Sequence, residues 1–192
     1  MLSEETGNIL PALAREAIES KVKGSKRRID FRMRDKLSER MPVFVMLYKN
    51  GKLRGSMGFI DNIYPIYDAT AKAAVNSAIA DPRFPPLEES ELGEITIKVC
   101  ALTTPTLIEV RNPEEYLELI FPGRDGIMIV GTFHSAVMLP QTALDNKWNT
   151  EEFLRHCCMK ANLGPESWRD FNLCRVYRFQ TMVFSEEKFS KI

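Results

Sequence analysis

Residues Val43–Ile60 read VFVMLYK-NG-KLRGSMGFI, and the fold of the whole chain turns on how this stretch pairs. Asn50-Gly51 between two apolar runs predicts a β-hairpin with a two-residue type I′ turn. Both central residues of that turn need φ > 0, which Asn and Gly accept at little cost. An unbroken hairpin pairs Lys49 with Lys52, Tyr48 with Leu53, Leu47 with Arg54 and Val45 with Ser56. One face then carries Phe44, Met46, Tyr48, Leu53, Met57 and Phe59. The other carries Val43, Val45, Leu47 and Ile60, with Arg54 and Ser56 among them. Apolar residues on both faces predict a hairpin covered on both sides. A guanidinium, a hydroxyl and two glycines (Gly55 and Gly58) inside it weaken such a strand and mark a candidate site.

Working outward, Ile9–Val22 has helical spacing, with Asn8 as the expected cap and Pro11 tolerated in the first turn. Ile29–Met41 reads as a second amphiphilic segment. Pro65–Ala80 is a helix dense in alanine, suited to lie close against a sheet, and it ends at Asp81-Pro82 because the residue before proline avoids the α region. Asp81–Leu87 (DPRFPPL) is a proline-locked loop carrying Arg83. Glu94–Leu102 alternates with period two and predicts a third strand. Thr103-Thr104-Pro105 marks a boundary. Beyond it come a helix opened by Asn112-Pro113 and a second hairpin in Gly126–Leu139. A further helix, Thr150–Asn162, has Asn149 and Glu152 as its capping box and Trp148 against Phe153 as its staple. Cys174–Ser185 reads as one strand returning to the first sheet. The expectation is an α+β protein of two subdomains with a cleft at their junction. Residues 1–105 with 170–192 form the larger, with about five strands, and residues 106–169 the smaller, inserted one, with about three.

Lys+Arg and Asp+Glu balance at 26 each over 192 residues, so a nucleic-acid role has no global electrostatic support. The basic stretch Lys21–Lys36 reads as a solvated linker and helix face. No run approaches the roughly 18 apolar residues of a membrane span, and MLSEETGNIL lacks a signal pattern. The expected location is the cytoplasm. Cys100, Cys157, Cys158 and Cys174 show no CxxC spacing and read as free thiols. Consecutive helix residues point about 100° apart, so His156-Cys157-Cys158 does not converge on one metal ion. His134 has no ligand-spaced neighbour, and two histidines leave little material for a Ser-His-Asp triad. There is no Walker loop and no G-x-G-x-x-G, so no metal and no cofactor is expected. Arg54 has three readings: pairing with a buried carboxylate such as Asp81 or Glu94, recognition of an anion at a cleft, or exposure without a role. Ser56 is a hydrogen-bonding group without an identifiable base to make it a nucleophile.

These residues resemble the AMMECR domain family, also known as system protein A of the AMMECR–Memo–radical-SAM set. Leu53-Arg54-Gly55-Ser56-Met57-Gly58 is similar to the family's hexapeptide Leu-Arg-Gly-Cys-Ile-Gly. The likeness continues through Asp81-Pro82-Arg83-Phe84, Pro86-Leu87, Gly123, Asp125-Gly126 and Leu139-Pro140-Gln141. Trp148, Glu152-Phe153-Leu154, Lys160-Ala161 and Leu163-Gly164 complete it. The resemblance implies two subdomains, each an antiparallel sheet flanked by helices, with the hexapeptide directed into the groove between them. Arg83, Phe84 and Gln141 are further cleft residues on that reading. No reaction is established for the family, so catalytic residues stay unassigned. A bulky small molecule or a protein is the implied partner, with Memo-type and radical-SAM proteins as candidates and nucleic acid disfavoured. Ser56 departs from the family's cysteine, and a hydroxyl is a far weaker nucleophile than a thiolate. Two readings stand: an enzyme that binds a bulky or anionic substrate through Arg54, and a non-catalytic adaptor.

Overall fold

The computed structural model describes residues 3–27 and 29–186. Arg28 of the basic stretch and residues 187–192, assigned above to the larger subdomain, lie outside that range. Ser3 caps a single-turn helix, α1 (Glu4–Gly7), and Asn8 closes it. Asn8 is therefore not the cap of α2 (Leu10–Val22), which starts at Ile9 without a side-chain cap and takes Pro11 in its first turn. Asp30 caps α3 (Phe31–Lys36). Strands β1 (Val43–Lys49) and β2 (Lys52–Phe59) follow, joined by Asn50 at φ 51° and Gly51 at φ 74°, so the predicted turn is present. Then come α4 (Ile66–Ile79), β3 (Ile95–Leu102) and β4 (Thr106–Leu107). A 3₁₀ turn at Pro113–Glu115 runs into α5 (Tyr116–Leu119). The chain continues through β5 (Gly126–Gly131), β6 (Ser135–Met138), α6 (Pro140–Asn146), α7 (Thr150–Lys160), β7 (Cys174–Phe179) and β8 (Thr181–Ser185).

The strands form two four-stranded sheets, ordered β2-β1-β3-β8 and β4-β7-β5-β6, which makes the fold α+β. The chain divides into two compact units, Met1–Leu102 with Met182–Ile192, and Thr103–Thr181. In the first unit, α2 and α4 pack on the face of the sheet that carries Val43, Val45 and Leu47 of β1 and Ile95, Ile97, Val99 and Ala101 of β3. The alanines of α4 are what let it lie so close: Ala69, Ala73, Ala74 and Ala78 are all buried. In the second unit, Ile127, Ile129 and Val176 pack with Phe153, Leu154, Cys157 and Cys158 of α7 around Trp168 and Tyr116. The Asn149–Glu152 capping box is formed in both directions, at 2.9 Å each.

One expectation is corrected here. Cys174–Ser185 is two strands, divided at Gln180: β7 pairs with β4 and β5 in the second sheet, and only β8 lies in the first. Each sheet thus has four strands, where five and three were expected, and residues 170–181 pack with the second unit. The break carries no glycine or proline. Thr103 and Gln180 tie the crossing chains together, through Thr103 N–H to Gln180 O and Gln180 N–H to Thr103 Oγ1, both 2.9 Å. Arg15 then anchors the end of β8. Its guanidinium donates to Glu186 at 2.6 and 2.8 Å and to the carbonyls of Leu92 and Ile95 at 2.8 Å each.

Candidate functional site

The hairpin departs from its expected register at one residue. Lys49 faces Lys52 and Tyr48 faces Leu53, but Leu47 then faces Gly55, Met46 faces Ser56, Val45 faces Met57 and Phe44 faces Gly58. Arg54 is the extra residue of a β-bulge. Because side chains alternate along a strand, one inserted residue exchanges the two faces for everything beyond it. Met57 and Phe59 therefore share the helix-covered face with Val45 and Val43. Ser56 and Gly58 share the opposite face with Met46 and Phe44, which reverses the arrangement expected from the sequence. Lys98 lies beside Met46 on that face and Thr96 beside Tyr48.

Each glycine of the hexapeptide answers to an internal neighbour. A Cβ on Gly55 would stand 2.1 Å from the carbonyl oxygen of Ser77 in α4, and one on Gly58 would stand 2.4 Å from both the Phe44 ring and the Val43 carbonyl oxygen. Ser77, which the sequence reading missed, is buried between the helix and the strands. The Met57 N–H donates to its Oγ at 2.8 Å, and the same Oγ lies 2.8 Å from the carbonyl oxygens of Val45 and Ala73, one of which takes its proton. The closest approach of α4 to the sheet is thus made through one hydroxyl and one absent side chain.

Arg54 finds its carboxylate in Glu91, neither Asp81 nor Glu94. Its Nε and Nη2 donate to the two Glu91 oxygens at 3.1 and 2.9 Å, and Nη1 and Nη2 donate to the carbonyls of Pro85 and Pro86 at 2.9 and 3.4 Å. Both side chains are nearly buried, at 13% and 15% exposure. Lys49 Nζ and the Glu88 N–H also bind Glu91, each at 3.1 Å. This is a correction to the anion-binding reading: a guanidinium engaged this way presents no open fork to a ligand. Glu91 sits at the third position after Glu88 in a reciprocal capping box, a spacing legible in the sequence, but nothing local pointed it at Arg54.

Asp81 serves a second lock. Its buried carboxylate accepts the Ser56 N–H at 2.8 Å and both forks of Arg83, Nε at 2.9 Å and Nη2 at 2.7 Å. Arg83 Nη2 in turn donates to the Ser56 carbonyl at 3.2 Å. The two side chains close the outer edge of β2 as a neighbouring strand would, in the manner of a protected sheet edge. The Arg83 guanidinium rests over Phe84, 5.4 Å from its ring centroid. Of the expected site residues, the structure brings Arg83 and Phe84 to the hexapeptide. Gln141 belongs to the second unit, where its amide donates to Asp145 at 2.7 Å.

Charge pairing depresses both carboxylates. The Arg83 fork, with the Ser56 N–H, holds Asp81 down at about 2, and Arg54, with the Glu88 N–H and Lys49, holds Glu91 at about 2. Unfolded carboxylates bind protons at higher pH, so these groups stabilise the fold above their ordinary range and lose that contribution as pH falls towards 2. We expect an acid-induced loss of about 2 kcal/mol for each, read as the fall in urea midpoint between neutral pH and pH 2.5. A wild-type curve parallel to that of an Asp81→Asn, Glu91→Gln double variant would refute the assignment.

The remaining candidate chemistry is modest. All four cysteines are free and buried, and burial pushes the thiols of Cys100 and Cys157 up to about 12, far from a thiolate at neutral pH. His156 stacks on Trp148 with ring centroids 3.9 Å apart. Among the described residues, no three His, Cys, Asp or Glu side chains come together in a metal-holding group, and no helix is long and apolar enough to cross a membrane. What the first unit presents on the sheet face opposite α2 and α4 is half-exposed Phe44, Tyr48, Ser56 and Lys98. Lys98 Nζ lies 5.0 Å from the Tyr48 ring centroid. The Ser56 hydroxyl has no hydrogen-bond partner among the described residues.

Comparison with known proteins shows the family and the fold. The sequence model of the AMMECR1 family matches residues 11–184. A protein of Methanothermobacter thermautotrophicus is 41% identical over 187 residues, covering 97% of each chain. Protein MK0488 of Methanopyrus kandleri is 41% identical over 190 residues, covering 97% of this chain and 91% of that one. The crystal structure of an uncharacterised protein, PH0010 from Pyrococcus horikoshii, superposes with a TM-score of 0.91 at 40% identity, covering 97% of this chain and 94% of that one.

Proposed function

Since this chain belongs to the AMMECR1 family, we propose that it is a non-catalytic binding protein whose recognition surface is the sheet face carrying Phe44, Tyr48, Ser56 and Lys98. The observation that carries the reading is the saturation of the charges in and around the hexapeptide. Arg54, Glu91, Asp81 and Arg83 are consumed in holding the bulged strand and its edge. They hold still a surface of two aromatic rings, an unpartnered hydroxyl and a lysine. Aromatic rings ordered in the free protein supply contact area at low entropic cost, which is the composition of an interface anchor. The ligand is a protein segment or another bulky molecule, and Memo-type and radical-SAM proteins are the partners to try first.

The test uses the full chain and these two proteins in titration calorimetry. Ser56→Arg and Tyr48→Ala are expected to weaken binding by about tenfold or more, the loss for a disturbed interface anchor. Ser56→Cys is expected to leave stability within about 0.5 kcal/mol, since its hydroxyl makes no internal bond. Binding that survives both Ser56→Arg and Tyr48→Ala would remove this face from the function.

A further inference from the structure

The basic stretch of the sequence contains one arginine that is not a solvated surface charge. Arg27, between α2 and α3, lays its guanidinium over the buried ring of Tyr67, 4.9 Å from the centroid. Its Nε and Nη2 atoms are buried and have no hydrogen-bond partner among the described residues. A buried donor without an acceptor is costly, and more so when it is charged, so two such donors on one fork mark a place for an acceptor. Arg27 lines a cavity of about 570 Å³ between the α2 and α4 side of the first unit and the end of β2, a size typical of small-molecule sites.

The chemistry of the walls identifies the acceptor. Lys21 and Lys72 line the same cavity, and among the described residues no acidic one does. Neither lysine is in an ion pair with a described residue. The apolar wall is aromatic: Phe59 and Tyr64 meet edge to face at 5.3 Å, and Lys72 Nζ stands 5.0 Å from the Tyr64 ring. Ser20, Ser25 and Asn76 add neutral hydrogen-bonding groups. We infer that this cavity binds a small organic phosphate, with the phosphate among Arg27, Lys21 and Lys72 and a planar body against Phe59 and Tyr64. Three cations favour a phosphate dianion over a single carboxylate, and the arginine fork matches two of its oxygens. The cavity lies on the helix-covered side of the sheet, so it is independent of the recognition face proposed above.

The test is calorimetry and thermal shift on the full chain with inorganic phosphate and adenosine monophosphate as probes, at matched ionic strength. Adenosine monophosphate is expected to bind more tightly than phosphate and to raise the melting temperature. Arg27→Gln should weaken both probes by about tenfold or more, as loss of a charge-assisted bidentate contact does. Tyr64→Leu should weaken only adenosine monophosphate. Because Arg27 packs on Tyr67, a Lys21→Gln, Lys72→Gln double variant at exposed positions repeats the test without touching the core, and the same loss is expected. Absence of heat and of a melting shift with either probe overturns the inference. So do equal affinities for the two probes, or affinities unchanged in the double variant.

Discussion

Replacing Arg54 by alanine is expected to cost about 3–5 kcal/mol of stability, the loss that follows when one member of a buried ion pair is removed. Glu91 would be left nearly buried with only Lys49 and a backbone N–H, and the carbonyls of Pro85 and Pro86 would lose their donor. Marginal native stability makes a loss of this size enough to unfold many domains. Urea denaturation of Arg54→Ala, Glu91→Ala and the double variant measures it. The double variant should be less damaged than the sum of the single ones, because it strands no charge. A single-variant loss below about 1 kcal/mol would mean that the guanidinium is not structural, and would return Arg54 to the ligand-binding role that the sequence suggested.

Gly55→Ala is the second large effect. The added methyl would stand 2.1 Å from the Ser77 carbonyl oxygen, which is main chain within a buried helix and has nowhere to yield. Either α4 lifts off the sheet or the bulge opens, and overpacking of this kind costs about 3 kcal/mol or more. Gly93→Ala is the matched control. A methyl added there would have nothing within 4 Å, so its melting temperature should stay close to that of the wild type. Equal melting temperatures for the two variants would show that α4 does not need its close seat on β2.

Much of this was open to reading in the sequence. Asn50-Gly51 announced the turn, the alanines of α4 announced its close packing, and Asn149 with Glu152 announced the start of α7. Such signals are local, because capping and turn chemistry act within four residues. The bulge at Arg54 was half legible: an isolated glycine inside a strand pattern is a bulge signal, and Gly55 carried it. The consequence, that Ser56 and Met57 exchange faces, needed the register itself. Glu91 as the partner of Arg54 was beyond reach, because Glu88, Glu89, Glu91 and Glu94 crowd one short stretch and only the tertiary path selects among them. The division at Gln180 was hidden for a related reason. The run CRVYRFQTMVFS looks continuous, and the change of sheet is made by hydrogen bonds to Thr103, distant in sequence but adjacent in space.

That division also orders events on the ribosome. The first sheet has β3 at an open edge until β8 arrives, and β8 is translated only after nearly all of the second unit. The nascent chain therefore carries an unpaired edge strand, with Ile95, Ile97 and Val99 on its core face, throughout that interval, with Arg15 waiting for Glu186. Unpaired edges are where partly made proteins stick to one another. For this chain the interval of risk is as long as the time taken to translate residues 103–181, and a pause in that stretch would lengthen it.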